Sequence, residues 1–497
     1  MKYSKVVLAL LGLGLTIEGA FAFGLTPTWA INGSAFKLVP YPHANNRPTQ
    51  AATANVYGYT FANNGGAQDE VVVTDYNPTT GIPSQWSFNG TATDPYSQLM
   101  EGDMDGDNTG AYVLFREKGP KGDFVRLEQF TNAGMGWDIN GTDGVSTALN
   151  PDGAPGAIPL FARVDDLFVY TVVQGASGKT MVAIYDKVYH YQVANYTLPS
   201  GYTATSAYLQ RRFEIVPTLG ASFIYLATYC PSGVSLFQIV YNFPYPGGGT
   251  TMQVTNTPAQ LFNPPGVTGY TNLTTQTTSS GTLSPITSGV DCTGTYAYMV
   301  ATSTYQVSGV TRTCGFDLVY NVAGPTPIYS TYISSVRSNP LWESNGAAVC
   351  TQKCNGYAAN NNIWAQTTTF FTSAASNSIN YIQWFPDVNG TEYGQQTAYP
   401  YGVQQCAAYY NATGLLQGSV AWYGGDDPNG NNGGGITEYL SLGSNPLGGI
   451  PLTFTQQGFG GLQDMEEGGM GELYVSLPGD PLTGTSLFRF DAPWSLL

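Results

Sequence analysis

Charge is what this sequence has least of. Charged residues fill 10% of its 497 positions, where about 25% is usual for soluble domains. Architectures built on Glu, Lys and Arg, such as coiled coils and long solvated helices, are thereby disfavoured. Only 17 Lys and Arg stand against 33 Asp and Glu, a formal net charge of −16. The deficit is uneven: up to Arg212 there are 13 basic and 18 acidic residues, and from Phe213 onward 4 and 15. Such a surface repels nucleic acid and anionic lipid, so polyanion binding is the function class it fits least. Scarce Lys and a low pI also suit an acidic medium.

Catalytic signatures are missing as well. The two histidines, His43 and His190, lie in neither a GxSxG nor an HExxH context. Gly175 to Thr180 reads GASGKT, but Val173 stands where a phosphate loop needs its first Gly. Beyond the amino terminus no run is apolar and long enough to cross a bilayer as a helix. No cysteine occurs before Cys230; the six are Cys230, Cys292, Cys314, Cys350, Cys354 and Cys406. An even count behind a secretory leader points to disulfides in an oxidising compartment, with connectivity open. Cys292, Cys350 and Cys406 fall 58 and 56 residues apart, at similar places before the main strand of their repeat.

The leader itself is legible. Lys2 and Lys5 precede the apolar run VVLALLGLGLTI, and Ala20-Phe21-Ala22 offers small residues for cleavage. Residues 1–22 are expected to be a signal peptide, which makes the mature chain secreted, periplasmic or cell-surface bound. In place of charge the sequence has 61 Gly and 35 Tyr, with 42% hydrophobic and 13% aromatic residues. That mixture favours strands with polar loops and supplies ample core.

A repeat runs through the chain. Its mark is a strand ending in an aromatic, with Asn or Asp close behind and then a turn: Tyr76, Phe130, Tyr185, Tyr241, Tyr320, Phe385 and Phe490, with Leu442 as a weaker copy. Successive marks are 54, 55, 56, 79, 65, 57 and 48 residues apart. A second hydrophobic strand precedes each mark, as in GAYVLF and LFVYTV, and a polar strand follows, so each unit has about four strands joined by hairpins. One such sheet cannot bury both of its faces alone. Stacked units cover one another.

Four-stranded units of about 50 residues resemble the blades of β-propeller proteins. The expected fold is an all-β propeller of eight blades, with seven as the alternative. The propeller is expected over 55–497, with a Thr-, Ser-, Pro- and Gly-rich insertion at 244–289. The segment 23–54 is expected to supply a closing strand, such as SAFKLVPY, to the last blade.

The sharpest candidate for chemistry is QLMEGDMDGDNTG, where Asp103, Asp105 and Asp107 alternate along an expected turn. Three carboxylates spaced in this way resemble the DxDxD calcium loops of EF-hand and integrin-type propeller repeats, which implies Ca²⁺ as a ligand. Asn108, Ala111 and Leu114 depart from those patterns. The last copy is acidic at the corresponding turn, with Asp464, Glu466, Glu467 and Glu472. Equivalent turns share one face of a propeller, so the two sets are expected to form a common binding face or an acid/base pair. The segment Tyr76 to Trp86 resembles the T-G-x-x-W turns of quinoprotein propellers, but it occurs once and reads as an ordinary turn. The leading expectation is a non-catalytic module that binds a protein or glycan. The alternative is an extracellular carbohydrate-active enzyme using paired carboxylates.

Overall fold

The computed structural model describes residues 23–24, 27–33, 35–42, 52–63, 69–89, 98–119, 122–141, 147–213, 219–230, 233–244 and 251–258. Beyond these it describes strands and a few adjoining residues between 277 and 491, with side chains for Ala297, 320–322 and parts of 464–491. The expected signal peptide lies outside the described residues. Every regular element described is a β-strand. Antiparallel four-stranded sheets recur along the chain, in a propeller-like arrangement.

The first sheet is Lys37–Tyr41, Asn55–Asn63, Asp69–Tyr76 and Pro83–Asn89. The second is Gln98–Asp107, Gly110–Gly119, Gly122–Thr131 and Gly134–Asn140. The third is Ile158–Val164, Phe168–Gln174, Thr180–Asp186 and Gln192–Thr197. The fourth is Thr203–Phe213, Leu219–Cys230, Gly233–Pro244 and Thr251–Pro258. Three further sheets open with Ile286–Cys292, Val349–Lys353 and Val403–Tyr410. In the last sheet Asp464–Glu467, Leu473–Ser476 and Thr485–Phe490 are joined by Trp29–Asn32 from the amino-terminal segment.

Each aromatic mark read from the sequence sits in the third strand of its sheet. Tyr76, Phe130, Tyr185, Tyr241, Tyr320 and Phe490 are all buried. Two expectations shift. The strand added to the last sheet is Trp29–Asn32, whereas Lys37–Tyr41, taken from SAFKLVPY, opens the first sheet. Thr251–Pro258, inside the stretch read as an insertion, is the fourth strand of the fourth sheet. Its polar alternation resembles loop composition because it is an outer strand, half covered at most.

Period-two alternation explains the packing. In Gly110–Gly119, Ala111, Val113 and Phe115 face the first sheet and join Tyr57, Val71, Val73 and Phe130 in one core cluster. Tyr112 and Leu114 face the other way and join Val169, Val173 and Tyr185 of the third sheet. A central strand buried on both faces therefore reads as the unbroken apolar run AYVLF, while edge strands carry the polar residues. The seam between the last and first sheets holds Trp29, Leu38, Val56, Tyr76, Tyr474 and Leu487. Trp29 Nε1 donates to Pro78 O at 2.9 Å, and Arg489 grips the same carbonyl.

The first strands touch one another in chain order from sheet to sheet, and Asp464–Glu467 touches Lys37–Tyr41. This puts side chains far apart in sequence along one line of contacts.

Tight turns hold each sheet in register. Gly110 has φ +142°, and a Cβ there would meet Phe130 O at 2.3 Å. Gly178 has φ +86° with nothing within 4 Å of a Cβ. Gly178→Ala is expected to cost about 1 kcal/mol of stability, and Gly110→Ala about 3 kcal/mol or more because overpacking adds to the backbone strain. Chemical unfolding of both variants measures this, and equal losses would refute the packing argument.

Candidate functional site

Each first strand is the edge of its sheet, with backbone N–H groups that its own sheet does not bond. In the third and first sheets, carboxylates of the preceding sheet take up three of them. In Gln98–Asp107 the aspartates alternate along a strand, not around a loop, with the turn following at Asn108 and Thr109. Asp103 Oδ2 accepts from Ala162 N at 2.9 Å and Asp105 Oδ2 from Val164 N at 2.8 Å. Asp464 Oδ2 accepts from Leu38 N at 2.6 Å in the same way.

Two cations complete the cluster. Lys37 Nζ donates to Asp103 Oδ1 at 2.5 Å, and Arg163 Nη1 donates to Asp103 Oδ2 at 2.7 Å. Arg163 Nε and Nη2 also reach Ala207 O at 3.2 and 3.1 Å. One line of polar contacts thus crosses the first strands of five sheets, from Asp464 to Ala207. Burial alone would raise the Asp103 carboxyl, but Lys37 and then Arg163 outweigh it and hold it below the usual range.

The last sheet repeats the pattern with one defect. Asp464-Met465-Glu466 matches Asp103-Met104-Asp105, and both methionines are buried. Asp105 finds Val164 N, two residues after Ala162. The residue two after Leu38 is Pro40, which has no N–H to give Glu466. Burial, followed by the Asp464 charge, pushes the Glu466 carboxyl from 4.5 up to about 8, against the pull of Lys37 and Arg163.

The structure therefore brings Asp103, Asp105, Asp464 and Glu466 together and leaves the other candidates elsewhere. Asp107 receives Lys187 Nζ and Thr109 N, the latter at 2.8 Å. Glu472 accepts from Thr53 Oγ1 at 3.1 Å. Glu467 ends the strand Asp464–Glu467, and its side chain lies outside the described residues. Among the described residues no group of three or more His, Cys, Asp or Glu is placed to hold a metal ion. Cys230 is buried at the end of its strand. Cys292, Cys350 and Cys406 each lie in the first strand of successive sheets. Their side chains, that of Cys314, and Cys354 altogether lie outside the described residues.

The sequence reading missed Lys37 and Arg163. The signal was present in AFKLV and LFARV, two first strands carrying a rare cation after Phe, but it has meaning only once those strands are neighbours.

A second feature lies at the end of the sheets where the first-to-second and third-to-fourth strand turns emerge. Six large hydrophobic side chains are exposed among the described residues. Five of them, Ile82, Met135, Val188, Tyr189 and Tyr191, lie in or beside the third-to-fourth turn of the first three sheets, with Tyr189 72% exposed. The turn that carries three of them is rigid. Asp186 Oδ1 accepts from Val188 N and Tyr189 N, both at 2.8 Å. His190 takes φ +58° and stacks on Trp137 at 5.1 Å between ring centroids. Lys187 ties this turn to Asp107 and, at 2.9 Å, to Asp165 O.

Neither family models nor curated protein sequences match this chain. Among solved structures it is similar to Chaetomium thermophilum Sqt1, crystallised with the N-terminus of ribosomal protein L10, at 11% identity and a TM-score of 0.44. That match covers 95% of this chain and 99% of Sqt1. It is also similar to a hypothetical selenium-binding protein from Sulfolobus tokodaii, at 7% identity and a TM-score of 0.38, covering 90% and 97% of the two chains.

Glu466 sets a pH dependence. Its folded-state value of about 8 lies above the usual 4.5, so its contribution to stability is full below about pH 4.5 and lost as pH rises through about 8. The melting temperature is expected to fall over that window and to fall less in Glu466→Gln. Parallel curves for the two proteins would remove Glu466 from the account.

Proposed function

We propose that this chain is a secreted binding module that presents one end of its sheets to a partner protein. The observation that carries this reading is the recurrence of exposed apolar side chains at the same turn of three successive sheets. Isolated exposed apolar residues are ordinary, but a row of them on rigid turns is what protein contact surfaces are made of. Ile82, Met135 and Val188 add aliphatic area that a glycan uses poorly, so the protein partner is favoured over the sugar. The signal peptide expected at residues 1–22 is what supports secretion in this reading.

The scaffold we propose is an eight-bladed propeller closed by Trp29–Asn32. Support comes from the succession of first-strand contacts that returns from Asp464–Glu467 to Lys37–Tyr41, and from the pairing of Trp29–Asn32 with Thr485–Phe490. A closed ring would hold the turns of successive blades at constant spacing, so that they act as one surface.

Val188→Ser with Tyr189→Ser and Tyr191→Ser tests the surface. Partners crosslinked to the wild-type chain in its native medium are identified, and the affinity of one is measured against both proteins. Aromatic anchors at an interface contribute about 2 kcal/mol or more each, so the variant is expected to bind about 30-fold more weakly or worse at an unchanged melting temperature. Equal affinities would refute the surface. Release of reducing sugar from a polysaccharide by the wild type, abolished in Glu466→Gln, would replace the binding reading with the hydrolytic one.

We also propose that Asp103 and Asp105 serve as clamps between sheets and not as calcium ligands. Their carboxylate oxygens face Lys37, Arg163 and two strand N–H groups, which a hard cation would have to displace. The melting temperature is expected to be the same in calcium and in chelator. A rise in calcium that is lost in Asp103→Asn would restore the metal.

A further inference from the structure

The face of the second sheet that packs on the first carries one guanidinium among three carboxyls. Arg126 Nη1 donates to Glu117 Oε2 at 3.2 Å. Its Nε and Nη2 donate to Glu128 Oε1 at 3.3 and 3.2 Å, and Nη2 also donates to Asp138 Oδ2 at 2.6 Å. Glu117 is 1% exposed and Glu128 0%, whereas the Asp138 side chain is 27% exposed. Asp138 and Glu128 are direct partners across the pair of antiparallel strands.

The charges do not balance. One cation against three carboxylates leaves two negative charges in a space closed by the first sheet, where an uncompensated charge is very costly. Among the described residues, no cation other than Arg126 pairs with these carboxyls. On the first sheet Val71 and Val73 are neutral, and Asp75 is engaged by Asn55 Nδ2 at 3.0 Å. Gly102 and Met104 of the second sheet's own first strand add no charge. Pro83–Asn89 lies against Gly134–Asn140, and its described Gln85 is exposed and neutral. The geometry also singles out one atom: Glu128 Oε2 is buried without a hydrogen-bond partner. A carboxylate oxygen with no donor is expensive in such a place, whereas a protonated one becomes a donor to the carboxylate beside it.

We propose that Glu128 and Asp138 share one proton beneath Arg126, forming an acid clasp on the face that joins the first two sheets, and that this clasp opens when the proton is lost. Burial first, then the Asp138 charge and hydrogen bond, push the Glu128 carboxyl from 4.5 to about 9, with Arg126 opposing. The folded value lies above the unfolded one, so the clasp contributes fully below about pH 4.5 and is lost as pH rises through about 9. The same chemistry, a carboxyl pair holding one proton because both cannot ionise together, is known wherever two acids are forced into contact. The clasp makes the chain tolerant of acid and sensitive to alkali, in keeping with its surplus of carboxylates.

Infrared difference spectra of the full chain at neutral pH test the shared proton. Wild type minus Glu128→Gln is expected to show one protonated-carboxyl band, distinct from any band of Glu466, which both proteins share. Alkaline titration of the wild type is expected to remove that band and to lower the melting temperature, while Glu128→Gln keeps its neutral donor to Asp138 and loses less. If Glu128→Gln does not fold, Asp138→Asn decides: it removes one negative charge, Glu128 ionises against Arg126, and the band disappears. Retention of the band in whichever variant is measured, or equal alkaline losses in wild type and Glu128→Gln, would overturn the proposal.

Discussion

The unsatisfied N–H groups along the first strand of each sheet are the constraint on which the rest of this architecture turns. A four-stranded sheet bonds its interior strands fully and leaves its edges open. At the outer edge water serves. At the inner edge, packed against the neighbouring first strands, another protein group is needed. Aspartates placed two apart on the preceding first strand supply it, because alternate residues of a strand share a face and the acceptors then match alternate donors. Asp103 and Asp105 meet Ala162 N and Val164 N, and Asp464 meets Leu38 N. Asp103, Asp105 and Asp464 thus join sheet to sheet.

Once carboxylates serve as connectors, the rest of the electrostatics follows. Each buried carboxylate needs a cation or a proton, and this chain has few cations. Four of the described basic residues are accordingly committed to them: Lys37 and Arg163 on Asp103, Lys187 on Asp107, Arg126 among Glu117, Glu128 and Asp138. Where cations run out, a raised carboxyl value takes their place. Glu466 is pushed up to about 8 and Glu128 to about 9, in both cases first by burial and then by the charge of a neighbouring aspartate, Asp464 or Asp138. Both shift stability toward low pH by the same physics of desolvation. With the interior held in this way, the turns at one end are free to carry apolar side chains outward.

Much of the fold was legible because it rests on local periodicity. The aromatic ends of the third strands, from Tyr76 to Phe490, mark seven sheets, with Leu442 at the remaining one, and the six described rings are buried. GAYVLF announces a strand buried on both faces. Less of the site was legible. Asp103 and Asp464 stood out by composition, but their partners, Ala162 N, Arg163, Lys37 and Leu38 N, lie 59, 60, 66 and 426 residues away. No local pattern records which backbone N–H faces which carboxylate. The exposed row of Ile82, Met135, Val188, Tyr189 and Tyr191 escaped notice for a similar reason, since each looks like an ordinary strand-end residue until the turns are placed side by side.

The sequence by itself determined an all-β chain of repeated four-stranded units with a carboxylate surplus, because strand alternation, turn residues and charge counts act over a few neighbouring positions. Only the tertiary structure decided that Trp29–Asn32 joins the last sheet, that the Asp103 run is a strand edge engaged by its neighbour, and that Glu128 and Asp138 lie side by side under one guanidinium. Those outcomes depend on which sheet packs on which and on how much water the packing excludes. Both are properties of the assembled chain and of no segment within it.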